Sequence, residues 1–322
     1  MEIKYLENKI INADCLDILK QLPDKCIDCI LTDPPYFGIV KNDWDNQWKN
    51  IKEFQEWVGI IGKELYRVLK DNGSFYWFGD DKTIAYCQVE LDKYFNLLNN
   101  IIFKKTSHQT MKGAESVFRS YAPITERCLF YDKGEKKSGL EMIDREYVIP
   151  NNPFCKELKK AILEKNISIK EIAEYGHFYK NINHGGSVSN WVKGYNIPNK
   201  EQFEKMKEIL YFSKEYEQLR QEYEQLRRIW NNDKKAYDCL DFGLLDSNRF
   251  HPTQKPISLI SYLLARSTNQ NSLVLDCFSG SGTTAIACHK LKRRFICIEK
   301  DKDYYEASVK RLEEEQRQLD MF

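Results

Sequence analysis

The chain has 322 residues, of which 42% are hydrophobic and 30% charged, and a formal net charge of +1. This composition suits a globular protein with a full core and one appended domain. The near-neutral charge excludes a global basic field, so nucleic-acid binding must rest on local patches. No apolar run reaches the roughly 18 residues of a membrane span, and Met1-Glu2-Ile3-Lys4 opens without a signal-peptide core, so the expected location is the cytoplasm. Ten cysteines would point to disulfides in a small secreted chain, but here most sit inside apolar strands (Cys29, Cys128, Cys297), where a reduced thiol acts as a small hydrophobe. Cys26 and Cys29 have CxxC spacing. On a strand they point to opposite faces and no second pair follows, so no metal is expected.

In chain order, Lys9 to Asp14 reads as a short strand with an acidic end. Leu16, Leu19 and Leu22 mark a brief helix closed at Pro23. Ile27 to Leu31 is a short apolar run bounded by proline, the pattern of a buried strand. It leads into Thr32-Asp33-Pro34-Pro35-Tyr36. The two prolines stop the ladder and fix the backbone. A carboxylate, a rigid carbonyl and an aromatic plane are thus held at a strand's carboxyl end, where open parallel sheets bind ligands. Together they suit a planar amino group on a heteroaromatic base. A polar loop over 37–48 carries Trp44 and Trp48, which either serve the site or pin the loop to the body.

Phe54, Trp57, Val58, Ile61, Leu65, Val68 and Leu69 recur at helical spacing, predicting an amphipathic helix that ends at Asn72-Gly73. Ser74–Phe78 reads as a strand, Ile84–Tyr94 as a helix, and Leu97–Phe103 and Thr125–Tyr131 as further strands. The alternation predicts an α/β sheet with crossovers. Between them a long polar loop carries Lys104, Lys105, His108, Lys112 and Arg119, candidates for phosphate contact.

Composition shifts near Lys133–Gly139, and from about Asn151 the chain reads as helical. Leu158, Ile162 and Leu163 mark one helix, Ser168 and Glu171 form a capping box that opens a second, and Pro198 opens another. Ile209, Phe212, Tyr216, Leu219, Tyr223, Leu226 and Trp230 alternate spacings of three and four, a heptad seam that either packs on its own domain or forms a coiled-coil homodimer. After Arg249, the run His251-Pro252-Thr253-Gln254-Lys255-Pro256 precedes a helix through Leu259 to Leu264. Leu273 to Asp276 then runs from strand into the turn Phe278-Ser279-Gly280-Ser281-Gly282 and a helix from Thr283. Glycines admit a ligand close to the backbone, and N–H groups at a helix start receive a carboxylate. One helix later, Arg294 to Ile298 is a strand that ends in Glu299, an acidic position suited to ribose hydroxyls. The third glycine of the dinucleotide fingerprint is missing, which argues against nicotinamide.

Asp33-Pro34-Pro35-Tyr36, with Phe-x-Gly-x-Gly after Asp276, resembles the DNA amino-methyltransferases. The order is catalytic motif, helical insert, then His-Pro-Thr-Gln-Lys-Pro with the cofactor motif. It resembles the beta-class, circularly permuted members, over about 8–134 and 249–311. The resemblance implies a Rossmann-like, seven-stranded, mostly parallel sheet with one reversed strand, in which the strands ending at Asp33 and Asp276 are neighbours. It implies a catalytic half at 1–134, a helical target-recognition insert at 135–248 and a cofactor half at 249–322. By the same resemblance Asp33, Pro34, Pro35 and Tyr36 form the catalytic motif. S-adenosyl-L-methionine is held by Asp14, Asp33, Thr253, Lys255, Asp276, Phe278, Gly280, Gly282, Thr283 and Glu299. Asp14 reads the adenine edge, and Thr253 and Lys255 lie near the methionine end.

The substrate implied is an adenine N6 in double-stranded DNA. Cytosine N4 and, further off, a protein glutamine amide are the alternatives, and Asp33 in place of the serine common in cytosine enzymes favours adenine. Whether a cognate restriction endonuclease accompanies it stays open. The insert resembles the helix-turn-helix of Cro-type repressors through Trp191, Gly194 and Pro198, with Ser187, Ser189, Asn190 and Lys193 facing DNA; its 178–186 connection is longer than the usual turn.

Overall fold

The computed structural model describes residues 3–38, 47–104, 124–133, 152–178, 186–231, 236–242 and 254–319. They form two compact units, 1–136 with 229–322, and 137–228.

The first unit is built on one eight-stranded sheet: β1 (Lys9–Asn12), β2 (Ile27–Thr32), β3 (Leu69–Gly79), β4 (Asn96–Lys104), β5 (Thr125–Asp132), β6 (Cys239–Asp241), β7 (Leu273–Asp276) and β8 (Arg294–Glu299). Their order across the sheet is β1-β8-β7-β2-β3-β5-β4-β6. Every pairing is parallel except the two made by β5, which is therefore the reversed strand. The sheet has one strand more than expected. β6 is a three-residue edge strand beside β4, too short and too polar in sequence to announce itself. The helical unit spans 137–228, where the resemblance implies an insert over 135–248.

Strand alternation sorts the core into two layers. Ile27, Ile30, Phe75, Trp77, Leu275 and Ile296 face α1 (Cys15–Leu19), α2 (Ile51–Val68) and α3 (Ile84–Leu91). Cys29, Leu31, Tyr76, Phe78, Val274 and Cys297 face α9 (Ile257–Ser267) and α10 (Thr283–Lys290). α11 (Lys302–Leu319) packs on β1 and β8. All ten cysteines are free thiols.

Helix α2 stops at Val68, four residues before the Asn72-Gly73 stop in the sequence. Leu69 is already extended and pairs with Ile27, and the next pair is Cys29 with Ser74, so Asn72-Gly73 falls in an irregularity of the ladder within β3. The turn signal survives as a bulge between paired residues. In sheet order, connections leave β2 and β7 in opposite directions, β2 toward β3 and β7 toward β8. The carboxyl ends of these two neighbours therefore flank a switch point, where open α/β sheets take ligands.

The second unit is helical: α4 (Pro153–Lys165), α5 (Ile169–Gly176), α6 (Gly186–Lys193), α7 (Lys200–Lys207) and α8 (Tyr216–Leu226). Its core gathers Phe154, Leu158, Ile172, Val188, Trp191, Phe203, Met206 and Leu219. The Ser168–Glu171 capping box opens α5. Pro198 stands before, not inside, α7; Asn199 caps that helix through Gln202. Leu158, Ile162 and Leu163 lie on α4 as their spacing predicts, with Leu163 80% exposed. The heptad seam is interrupted, because residues 208–215 separate α7 from α8. Leu219 is buried in the unit's own core and Tyr216 and Tyr223 pack against it. Among the described residues no helix is long and apolar enough to cross a membrane.

Candidate active site

A cavity of about 740 Å³ opens at the carboxyl ends of β2, β7 and β8, within the first unit. Asp33, Pro34, Pro35 and Tyr36 line one part of it; Asp14, Phe278, Gly280 and Glu299 line another. The motif segment leaves β2 without ladder partners, as its prolines require. Tyr36 folds back so that its hydroxyl donates to Asp33 Oδ1 at 2.7 Å. Asp33 Oδ2 receives Lys255 Nζ at 2.5 Å. Burial pushes the Asp33 carboxyl above its usual range against the pull of Lys255, and burial with the neighbouring Asp33 carries the Tyr36 phenol far up.

One strand away, Asp276 is fixed differently. Its Oδ1 accepts from Thr32 Oγ1 at 3.0 Å and from the Phe278 N–H at 3.1 Å, and its Oδ2 accepts from Thr284 Oγ1 at 2.6 Å. It is 3% exposed, and burial lifts its carboxyl to about 6. Asp276 borders the cavity, yet its oxygens organise the protein's own turn.

Beyond that turn, Glu299 Oε2 accepts the Gly280 N–H at 2.7 Å and Oε1 the Asp301 N–H at 2.8 Å. The carboxylate still has acceptor capacity for a hydroxyl donor. Gly280 (φ +48) lines the cavity. Gly282 (φ +74) does not; a Cβ there would lie 3.1 Å from Ser308 Cβ, so its place is set by helix packing. Thr283 lines the wall, with Ser281 Oγ 3.0 Å from its hydroxyl. Asp14 caps α1 through Leu16 N–H at 3.0 Å and pairs with Lys300 at 3.0 Å. Trp57 and Phe278 meet at 5.6 Å on the cavity wall.

Of the predicted positions, Thr253, Lys105, His108, Lys112 and Arg119 lie outside the described residues, as does Trp44. Lys104 ends β4, exposed, 3.7 Å from Asp241 and away from the cavity. Trp48 packs on Phe54 and Trp57 at 4.9 and 4.8 Å, pinning its segment to α2. Lys255, which the resemblance sets near the methionine end of the cofactor, faces Asp33 and Glu126. In the helical unit Asn190 and Lys193 are exposed and Ser187 and Ser189 half-buried, opposite Val188 and Trp191 in the core.

Sequence reasoning passed over Glu126, Asp80, Trp57 and Gln254, all on the cavity wall. Gln254 lines the cavity, and its buried Oε1 has no hydrogen-bond partner among the described residues. Among the described residues no group of three His, Cys, Asp or Glu is placed to hold a metal.

The cavity suits S-adenosylmethionine. An aromatic pair, a carboxylate with spare lone pairs and an orphaned acceptor occupy one continuous space with the motif carboxylate.

The chain is similar to the Type II methyltransferase M1.MboII of Moraxella bovis, 28% identical over 299 residues covering 92% of this chain and 93% of that protein. It is 25% identical over 306 residues to the DNA adenine methyltransferase YhdJ of Escherichia coli K12, covering 94% and 82%. Its fold matches the crystal structure of M1.HpyAVI (TM-score 0.52, 21% identity, 94% and 98% covered). It also matches the PvuII cytosine-N4-specific DNA methyltransferase (TM-score 0.53, 16% identity, 94% and 84% covered). Residues 27–310 match the DNA methylase family of the N6/N4 type, so the chain belongs to that family and is an S-adenosylmethionine-dependent DNA methyltransferase.

Proposed function

We propose that the chain transfers the methyl group to the exocyclic N6 of an adenine flipped out of duplex DNA, as a beta-class, circularly permuted enzyme acting in the cytoplasm. The carrying observation is the Asp33 carboxylate, held by Tyr36 and Lys255 at the mouth between β2 and β7 in the same cavity as Glu299. S-adenosylmethionine, when bound, would supply an electrophilic methyl group, and Glu299, Asp14 and Phe278 are residues that would hold it.

The chain's residues do the rest. A stacked base cannot reach a carboxylate at a strand end, so the adenine is extruded at a cost of roughly a few kcal/mol. Stacking on an aromatic ring, worth about 1–3 kcal/mol in comparable sites, offsets much of this, and Tyr36 brings such a ring to the cavity wall beside Asp33. The amine's lone pair is delocalised into the ring system. N–H donation to Asp33 and to the Pro34 carbonyl localises that pair on nitrogen, and holding the amine in line with the donor supplies the proximity contribution. Asp33 carries a raised carboxyl pKa, and only its ionised form gives the stronger, charge-assisted acceptance, so activity falls on its acid side.

DNA contact falls to the helical unit, through Ser187, Ser189, Asn190 and Lys193 of α6, and to the segment after Lys104. Affinity should then fall steeply with salt. The test is methyl transfer from labelled S-adenosylmethionine to unmethylated duplex DNA, followed by digestion to nucleosides. N6-methyladenine is expected. N4-methylcytosine would overturn the base assignment and keep the site chemistry, and an unlabelled duplex would overturn the substrate.

A further inference from the structure

Lys255 is 7% exposed, and its ammonium has three donors and no acceptor. It donates to Asp33 Oδ2 at 2.5 Å and to the Tyr36 hydroxyl at 3.3 Å, and it forms an ion pair with Glu126 Oε2 at 3.2 Å. The rings of Phe78 and Tyr36 flank it, with centroids 5.3 and 5.7 Å from Nζ. A buried ammonium is tolerated only when so satisfied. Turning it toward a cofactor would cost one of these bonds. Glu126 comes from β5, the reversed strand, so two distant segments converge on the Asp33 carboxylate.

We propose that Lys255 is a positioning residue for methyl transfer, clamping Asp33 with its remaining lone pairs toward the cavity, and that Glu126 moderates the clamp by sharing the lysine's charge. This rests on reading Asp33 as the acceptor of the target amine. An Asp33–Lys255 pair alone would be neutral and a weak acceptor; with Glu126 the ionised cluster carries one net negative charge. That charge strengthens acceptance of the amine N–H. Burial alone would lower the Lys255 ammonium, but the two carboxylates outweigh it and hold it above its ordinary range. The other groups near Asp33 are Tyr36 on its own segment, Asp276 at the end of β7 and Cys128 on β5, with Asp80 after β3 close to Tyr36.

The two substitutions should act in opposite directions. Lys255→Met keeps the side chain's length and removes the charge, so Asp33 protonates more easily. The acid limb of the kcat profile moves up by about one pH unit, and kcat at neutral pH falls at least tenfold. Glu126→Gln removes the second carboxylate and leaves the lysine to Asp33, so the limb moves down by up to about one unit. S-adenosylmethionine affinity by calorimetry should stay within twofold in both. Limbs that stay put or move together would overturn the proposal. So would a tenfold loss of S-adenosylmethionine affinity in Lys255→Met with kcat unchanged, which would return Lys255 to the cofactor site. Asp33 titration followed by 13C-carboxyl NMR reads the same opposed shifts without turnover. An enzyme inert toward DNA therefore refutes the proposed function, while the spectra still decide the clamp. Glu126→Gln is nearly isosteric and decides the sign even where Lys255→Met does not fold.

Discussion

Asp33 and Asp276 stand at the carboxyl ends of neighbouring parallel strands, β2 and β7, and the same side chain is put to two uses. Asp276 is enclosed: hydroxyls of Thr32 and Thr284 and the Phe278 N–H take up its oxygens, and it holds the glycine turn to the sheet. Asp33 keeps 19% of its side-chain exposure through the cavity and is held by a phenol and an ammonium that leave lone pairs free. Donors from its own fold make a carboxylate architectural; donors that leave it an open side make it available to a substrate. Removing each should separate the two uses. Asp33→Ala should cut methyl transfer by about a thousandfold or more, roughly 4 kcal/mol of barrier, with Tm and S-adenosylmethionine affinity little changed. An active Asp33→Ala enzyme would end the mechanism proposed for it.

Asp276→Ala should do the reverse, leaving the buried Thr284 hydroxyl and Phe278 N–H without their acceptor. A loss of about 2–4 kcal/mol and a Tm lower by roughly 5–10 °C are expected. Asp276→Asn keeps an acceptor and removes the charge, and its sign is set by linkage. The Asp276 carboxyl is raised in the fold from 3.8 to about 6, so its contribution is fully present below pH 4 and lost as pH rises through 6. Denaturant unfolding of wild type and Asp276→Asn at pH 4 and pH 8 should therefore differ, with the asparagine variant relatively better at pH 8 by up to roughly 3 kcal/mol. A gap that does not change with pH would show that the Asp276 carboxyl does not titrate differently on folding.

The contrast between the two aspartates was half legible in the sequence. Asp-Pro-Pro-Tyr declared its strand end because proline's missing N–H is a local fact, and the Phe-x-Gly-x-Gly turn declared itself through φ freedom at Gly280. That their strands are neighbours came only by resemblance, since no local signal pairs residues 29–30 with 274–275. Glu126 and Trp57 escaped for the same reason: a glutamate on an ordinary strand and a tryptophan on an amphipathic helix become site residues only when distant segments converge. In the helical unit capping chemistry located the start of α5 and apolar spacing marked α4, but the heptad spacing ran across a break in the helix.

Farther from the motif, Glu299→Gln sharpens the comparison at lower amplitude. The amide has one oxygen for the two N–H donors of Gly280 and Asp301 and turns its NH2 toward the other. S-adenosylmethionine affinity should weaken about tenfold, near 1.4 kcal/mol, with the acid limb of kcat unmoved. A shift in that limb would mean that the two ends of the cavity are electrostatically coupled.

The smallest effect expected is that of Thr284→Val, a near-isosteric change that removes the donor to Asp276 Oδ2. Below pH 4 Asp276 is neutral, and the lost bond costs about 0.5–1 kcal/mol. Above pH 7 the carboxylate is charged and loses a charge-assisted bond, so the cost rises to about 1.5–3 kcal/mol. The sign follows from the same linkage: losing a donor lifts the folded carboxyl further, and the penalty falls on the ionised form. Chemical denaturation at the two pH values measures it. A cost equal at both would mean that Thr284 only fills space, and that Asp276 is held by Thr32 and the Phe278 N–H alone.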